Sequence, residues 1–230
     1  MMILLTAATR AEIQPTLDFI ERLPAAQAAQ IEVLITGVGG LHTAHQLAMR
    51  LHPLQTNVPT LALQAGIAGS WRKDWALGQV VQVVSEYNAD LGAQTADGGF
   101  LPLAEMGFMD ISDPVFDVYS ADGRLWQSSP IGDFLPRAHS TSVNAVHGEK
   151  ESIRRSAERL AWADIETMEG SAFFYACLQY QKLQPNFKFV ALRSLSNYVE
   201  ERNRERWQIS QAIATLNGVL IEMLEMCVSE

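Results

Sequence analysis

Short apolar runs alternating with amphipathic stretches constrain this chain more than any other feature. Residues 3–6, 31–36, 60–64 and 188–192 are of strand length and mostly apolar, and residues 79–85 add a run rich in Val. Such runs, set between longer helical patterns, indicate an α/β fold with buried strands. Residues 11–23, 41–51 and 150–160 read as the helices. Pro15 falls in the first turns of its helix, where a missing N–H costs least. Residues 204–227 read as one long C-terminal helix with Ile209, Ala212, Ile213, Leu216, Leu220, Leu224 and Cys227 on one stripe. The 230 residues are 48% hydrophobic, enough for a sizeable core without metal or disulfide support. No Ser/Gly/Pro-rich linker divides them, so the expectation is a single domain over 1–230 with a central mixed sheet flanked by helices.

Residues 88–140 break the pattern. They are rich in Gly, Pro and Asp, show little periodicity, and read as long loops over the sheet edge, serving as a lid or a subunit contact. A further strand is expected at 141–146. The formal charge of -9, with no Lys/Arg cluster, argues against nucleic acid or an anionic membrane as partner. No run of 18 apolar residues is present, and the first residues lack the pattern of a signal peptide. Cys177 and Cys227 lie in apolar helical patterns and read as packed thiols, so the expected location is the cytoplasm.

Several motifs fail on inspection. Gly37-Val38-Gly39-Gly40-Leu41-His42 resembles a dinucleotide turn up to its last position, and no acidic residue follows at ribose-binding distance. His42 and His45 have metal-ligand spacing without a third ligand. No phosphate-binding Walker loop or serine nucleophile elbow occurs. Arg202, Arg204 and Arg206 read as a solvated or salt-bridged run. No metal and no cofactor is expected.

The segment Ile165-Glu166-Thr167-Met168-Glu169-Gly170-Ser171-Ala172 carries chemistry. It opens a helix that continues Phe173-Phe174-Tyr175-Ala176-Cys177, apolar on almost every side and therefore buried. A carboxylate at its mouth is costly to desolvate unless paired. Glu169 could hold the cis-diol of a ribose through two hydrogen bonds, or simply complement a helix dipole. Two further side chains stand after strands: Glu12, in Thr6-Ala7-Ala8-Thr9-Arg10-Ala11-Glu12, and Asn197, in Arg193-Ser194-Leu195-Ser196-Asn197-Tyr198. Ligands of α/β sheets bind outside the carboxyl ends of strands, so all three can share one crevice.

Glu12, the Gly66-Ile67-Ala68-Gly69 loop, Met168-Glu169 and Arg193 to Asn197 resemble the purine nucleoside phosphorylase and nucleosidase superfamily. The resemblance is closest to the branch of methylthioadenosine/S-adenosylhomocysteine nucleosidase and covers nearly the whole chain except 88–140. Thr141 to Gly148, Glu166 to Gly170 and Ser196 to Glu200 further resemble the futalosine hydrolases, which split hypoxanthine from futalosine on a route to menaquinone. The resemblance implies a three-layer nucleoside phosphorylase-like fold, a purine nucleoside as substrate, and a homo-oligomer, dimer or higher. It gives Glu12 the deprotonation of the attacking water, and Arg193 and the Gly66, Ile67, Ala68 backbone its positioning. Met168 and Glu169 would hold the ribose, Val146 would line the base pocket, and Asn197 would face the purine. The methylthioadenosine nucleosidases carry Asp where this chain has Asn197. An amide donates to a 6-oxo group and accepts from N7–H, which suits hypoxanthine or guanine over adenine. A methylthioadenosine/S-adenosylhomocysteine-type nucleosidase, a phosphorylase and a non-catalytic nucleoside-binding protein are the alternatives. Glu12 opposes the last two, because it would repel phosphate and because mere binding needs no base.

Overall fold

The computed structural model describes residues 1–127 and 135–228. Its first half runs β1 (Ile3–Ala7), α1 (Arg10–Ile20), α2 (Ala25–Ala28), β2 (Ile31–Ile35), α3 (Gly40–Arg50), β3 (Leu61–Ser70) and β4 (Val80–Asn88). Three short strands follow: β5 (Gly92–Gln94), β6 (Phe100–Pro102) and β7 (Leu125–Trp126). The chain then continues through β8 (Arg137–Ser142), α4 (Lys150–Arg159), β9 (Ile165–Thr167), α5 (Gly170–Leu183), β10 (Lys188–Tyr198) and α6 (Ile209–Val228).

One mixed sheet organises these elements. β2, β1, β3 and β10 run parallel in that order. β10 also pairs antiparallel with β4, which continues through β8 and β9 back to β3. Five strands thus close on themselves, with β1 and β2 extending outward from β3. The side-chain period of two sorts the strand residues between two cores. Leu5, Leu63 and Leu192 face α1 and α6 with Ile13, Leu17, Leu216 and Leu220. Leu4, Ala62, Phe189 and Ala191 face α3 and α5 with Leu47, Phe173, Phe174 and Cys177. Phe174 and Phe189 meet edge to face with ring centroids 5.1 Å apart. The α/β expectation, with a central mixed sheet between helical layers, holds.

Several boundaries differ from the sequence reading. β3 does not end before Gly66 but runs through Gly66, Ile67 and Ala68 to Ser70, and β10 does not end at Leu192 but carries Arg193 and Asn197. The two strands pair with each other over this extension, and that ladder overrides the local turn signals of Gly, Ser and Asn. The strand expected at 141–146 is β8, which lies four residues earlier and stops at Ser142. The long C-terminal helix is broken, with a 3₁₀ turn at Arg204–Arg206 before α6. That turn is solvated, as expected: Arg202 and Arg204 lie over the Trp207 ring, and Arg206 reaches Glu200. The expected loops at 88–140 contain the β5–β6 hairpin, β7 and the start of β8, while residues 128–134 fall outside the described residues. Within that region β7 lies along β4. The segment Arg204–Val228 is long and apolar enough to cross a membrane. Its apolar stripe, Ala212, Leu216, Leu220, Met223 and Leu224, is buried in the core instead, so packing accounts for its composition.

Candidate active site

Strand register brings the site together. Arg193 on β10 pairs with Gly66 on β3. β9 runs antiparallel to β3 with Glu166 opposite Gly69, and two residues after β9 ends Glu169 opens α5, where its charge acts on Arg193 and Glu12. β1 runs beside β3 with Ala7 opposite Ala65, and α1 begins three residues later. Glu12 therefore enters from the other side of β3.

Glu12 has two duties, one for each oxygen. Its Oε2 accepts from the Thr9 backbone N–H at 3.0 Å and the Thr9 hydroxyl at 2.9 Å, closing the first turn of α1 as a capping box does. Its Oε1 turns to β3 and accepts from the Ile67 N–H at 3.4 Å. A Cβ on Gly66 would stand 3.2 Å from Oε1, so glycine there gives the Glu12 carboxylate room against the strand, with the Arg193 Nε in ordinary contact distance at 3.8 Å. Thr9 sits in extended conformation and fixes where the helix starts.

Asn217 holds this corner, and the sequence reading missed it. Ile13 leaves the helical region (φ -122°, ψ 18°), and the Glu12 carbonyl and the Thr16 N–H on either side of it both turn to α6. The Asn217 amide, reaching over from α6, bridges the gap: Nδ2 donates to the Glu12 carbonyl at 2.8 Å, and Oδ1 accepts from the Thr16 N–H at 3.0 Å and the Thr16 hydroxyl at 2.6 Å. An Asn inside the buried stripe of an apolar helix was the available signal. Asn217→Ala is expected to lower the unfolding free energy by about 1–3 kcal/mol, the cost of buried polar groups left unpaired, as read by urea denaturation. A loss within error would mean that water replaces the amide.

Arg193 is 1% exposed. Its Nη2 donates to Gln64 Oε1 at 2.5 Å and its Nη1 to the Leu192 carbonyl at 2.9 Å. Burial disfavours its charge and lowers its pKa, and the nearby carboxylates of Glu86, Glu169 and Glu12 oppose this only in part. Glu169 is the residue before α5, yet its carboxylate makes no capping bond to that helix. It instead accepts from the Gly39 N–H at 2.7 Å. Glu169 thus has a bonded partner outside α5. Burial pushes its pKa up, opposed by the Gly39 N–H and Arg193. Gly39 itself has φ +92°, a left-handed conformation that suits glycine, in the turn that precedes α3. Met168 lines a cavity of about 280 Å³ with Leu41, Ser142, Ser171 and Tyr175.

Glu12, Gly66, Ile67, Arg193 and Glu169 thus converge. Ala68 and Asn197 lie further along the same strand pair. The Ser196 hydroxyl bonds the Ala68 carbonyl at 3.2 Å, and Asn197 stands opposite Gly69 after a bulge. The Asn197 Oδ1 accepts from Ser196 at 2.9 Å and its Nδ2 donates to the Tyr198 carbonyl at 3.0 Å. One N–H and one lone pair of the amide remain for a ligand. Val146 is 43% exposed on the segment between β8 and α4. That segment does approach the chain beyond Asn197, through the Arg202 N–H to the Gly148 carbonyl at 3.0 Å.

Glu166, three residues before Glu169, is buried on β9, where it takes the His147 backbone N–H at 3.0 Å and the His147 ring. A larger cavity of about 870 Å³ lies between the β5–β6 hairpin and α4, lined by Phe100, His147, Arg155 and Arg159 among others. None of the converging groups reaches it, and chemistry rather than size marks the site. Among the described residues no three His, Cys, Asp or Glu side chains are grouped as metal ligands.

No family model matches the chain. It is 30% identical over 200 residues, 84% of this chain and 80% of the relative, to a futalosine hydrolase from Streptomyces coelicolor. A futalosine hydrolase from Thermus thermophilus is 29% identical over 83% of this chain and 80% of its own. Among solved structures, a methylthioadenosine/S-adenosylhomocysteine nucleosidase from Neisseria meningitidis superposes with a TM-score of 0.72 at 14% identity, covering 98% of this chain and 99% of its own. A futalosine hydrolase from Helicobacter pylori superposes with 0.64 at 18% identity, covering 97% of both chains. The structural neighbours share the fold and the sequence relatives fix the family: this chain belongs to the futalosine hydrolases, enzymes that cleave N-glycosidic bonds.

Proposed function

We propose that the protein hydrolyses the N-glycosidic bond of futalosine, releasing hypoxanthine and dehypoxanthine futalosine in menaquinone biosynthesis. The observation that carries this reading is the meeting of Glu12 and Arg193 at Gly66, midway along the β3–β10 ladder, with the Glu169 carboxylate near enough for its charge to act on both. Purine N-glycosides break through an oxocarbenium-like state, and carboxylates beside the sugar stabilise the charge that builds there. Glu12 takes a proton from water. Arg193 and the Ile67 N–H support its placement. Glu169, with Met168 beside it, holds the ribose hydroxyls. Asn197 offers its remaining N–H to O6 and its remaining lone pair to N7–H, and Val146 lines the base side.

Water is favoured over phosphate as nucleophile by the charge around Arg193. Glu12, Glu86 and Glu169 all act on this one buried guanidinium, while Arg10 is exposed. A dianion entering there meets net repulsion.

A homo-oligomer in the cytoplasm belongs to the same reading. α3 and α5 leave between them an apolar groove of about 450 Å³, lined by Leu47, Leu51, Ala176 and Leu183. Beside it Leu41 is 80% exposed and also lines the cavity at Met168, so a second copy seated on α3 would help close the site. Sedimentation of the purified protein as a monomer would refute this part.

The base assignment is tested through Asn197. Unaltered protein is expected to prefer futalosine to its 6-amino counterpart, and Asn197→Asp to reduce or reverse the preference. An ionised Asp only accepts and repels O6, and a mismatched buried polar pair is expensive. The measurement is kcat/KM for both nucleosides with both proteins. An unchanged ratio would show that Asn197 does not read the 6-position.

A further inference from the structure

A fourth charged group lies beneath the converging residues. Glu86, on β4, is fully buried. Its Oε2 accepts from the Ser142 hydroxyl at 2.9 Å, and the Ser142 oxygen in turn accepts from the Ser171 N–H in the first turn of α5 at 2.8 Å. Its Oε1 has no hydrogen-bond partner. Ser140, in register with Glu86 on β8, turns toward that carboxyl a buried hydroxyl that makes no hydrogen bond of good geometry yet still acts on it. Gly170, immediately after Glu169, leaves the space that the carboxyl fills, since a Cβ there would fall on it. The groups facing Glu86 are Ser140 and Ser142 from β8, Arg193 from β10, and Glu169 at the start of α5. Thr167 of β9 stands behind Ser142, and β7 runs alongside with Leu125 and Trp126.

Resting on the nucleosidase reading, we propose that Glu86 is a positioning residue that tunes the site through Arg193 and Glu169, gaining or losing a proton as conditions change. One guanidinium cannot neutralise three carboxylates. With its proton on, Glu86 leaves the Arg193 charge to Glu12 and Glu169. With its proton off, it draws on that charge. Glu12 becomes the stronger base and Glu169 the stronger support for a cationic sugar, so turnover rises. The vacant oxygen and the Ser140 hydroxyl suit both states: the acid donates to Ser140, and the carboxylate accepts from it. Burial raises the Glu86 pKa to about 7, opposed by the two serines and Arg193. The change of state therefore falls near neutrality.

The test compares unaltered protein with Glu86→Gln, which fixes the neutral form at almost the same volume. From mildly acidic to mildly alkaline pH, kcat of the unaltered protein is expected to rise about tenfold through neutrality, the factor that one pKa unit of coupling represents. Glu86→Gln stays on the low plateau. The same rise in both proteins overturns the proposal. Ser140→Ala removes a hydroxyl available to the carboxylate and is expected to move the rise to higher pH; an unmoved rise counts against the proposal. Melting provides a readout without substrate. A carboxyl whose folded pKa is raised contributes stability that is fully present below 4.5 and is lost as pH climbs through about 7. The Tm of unaltered protein should fall across that window relative to Glu86→Gln, and parallel Tm curves would overturn the proposal. Failure to release any base refutes the nucleosidase reading, while the melting comparison still decides whether Glu86 titrates.

Discussion

Glu12→Gln is expected to lower kcat by about a hundredfold or more, in line with the usual contribution of a positioned base. Substrate affinity should stay close to that of the unaltered protein, since proton abstraction stabilises the transition state and not the bound nucleoside. The amide keeps an oxygen for the bonds from Thr9 that close α1, so the helix start should survive. Circular dichroism and the melting temperature separate a folding defect from a chemical one. A variant keeping more than about a tenth of kcat would remove Glu12 from the role of base.

Glu169→Gln should damage both binding and turnover. The carboxylate meets the ribose hydroxyls in the ground state and the cationic sugar later, and loss of a charged hydrogen-bond partner costs about 1.5–3 kcal/mol. The expected signature is a higher KM together with a lower kcat, unlike the pattern for Glu12. Glu169 makes no capping bond to α5, so stability should change little. Unchanged KM and kcat would leave its bond to the Gly39 N–H as a structural tie only.

The sequence made some of this architecture legible and hid the rest for identifiable reasons. Glu169 stood out because an acid before an apolar helix requires a partner, and the Gly39 N–H is one. β3 and β10 ran past the expected stops because their mutual ladder outweighs Gly66, Gly69 and Ser196 as local breakers. Glu166 lies only three residues before Glu169, yet it faces His147, an orientation set by β9 and its neighbours. Glu86 and Asn217 were missed for a related reason. Each is a single polar residue in a buried apolar element, and only the fold shows what each one meets: Glu86 an incomplete set of partners, Asn217 the irregular turn of α1 at Ile13.

The central claim is hydrolysis of a 6-oxopurine nucleoside, and product analysis tests it most directly. Purified protein is incubated with futalosine, aminodeoxyfutalosine, methylthioadenosine and inosine, with and without inorganic phosphate, and the released base and sugar are identified. The expected products are free hypoxanthine from futalosine, at a rate independent of phosphate, and a sugar bearing hydroxyl at the anomeric carbon. A phosphate-dependent rate with a sugar 1-phosphate, or release of adenine in preference to hypoxanthine, would contradict that claim.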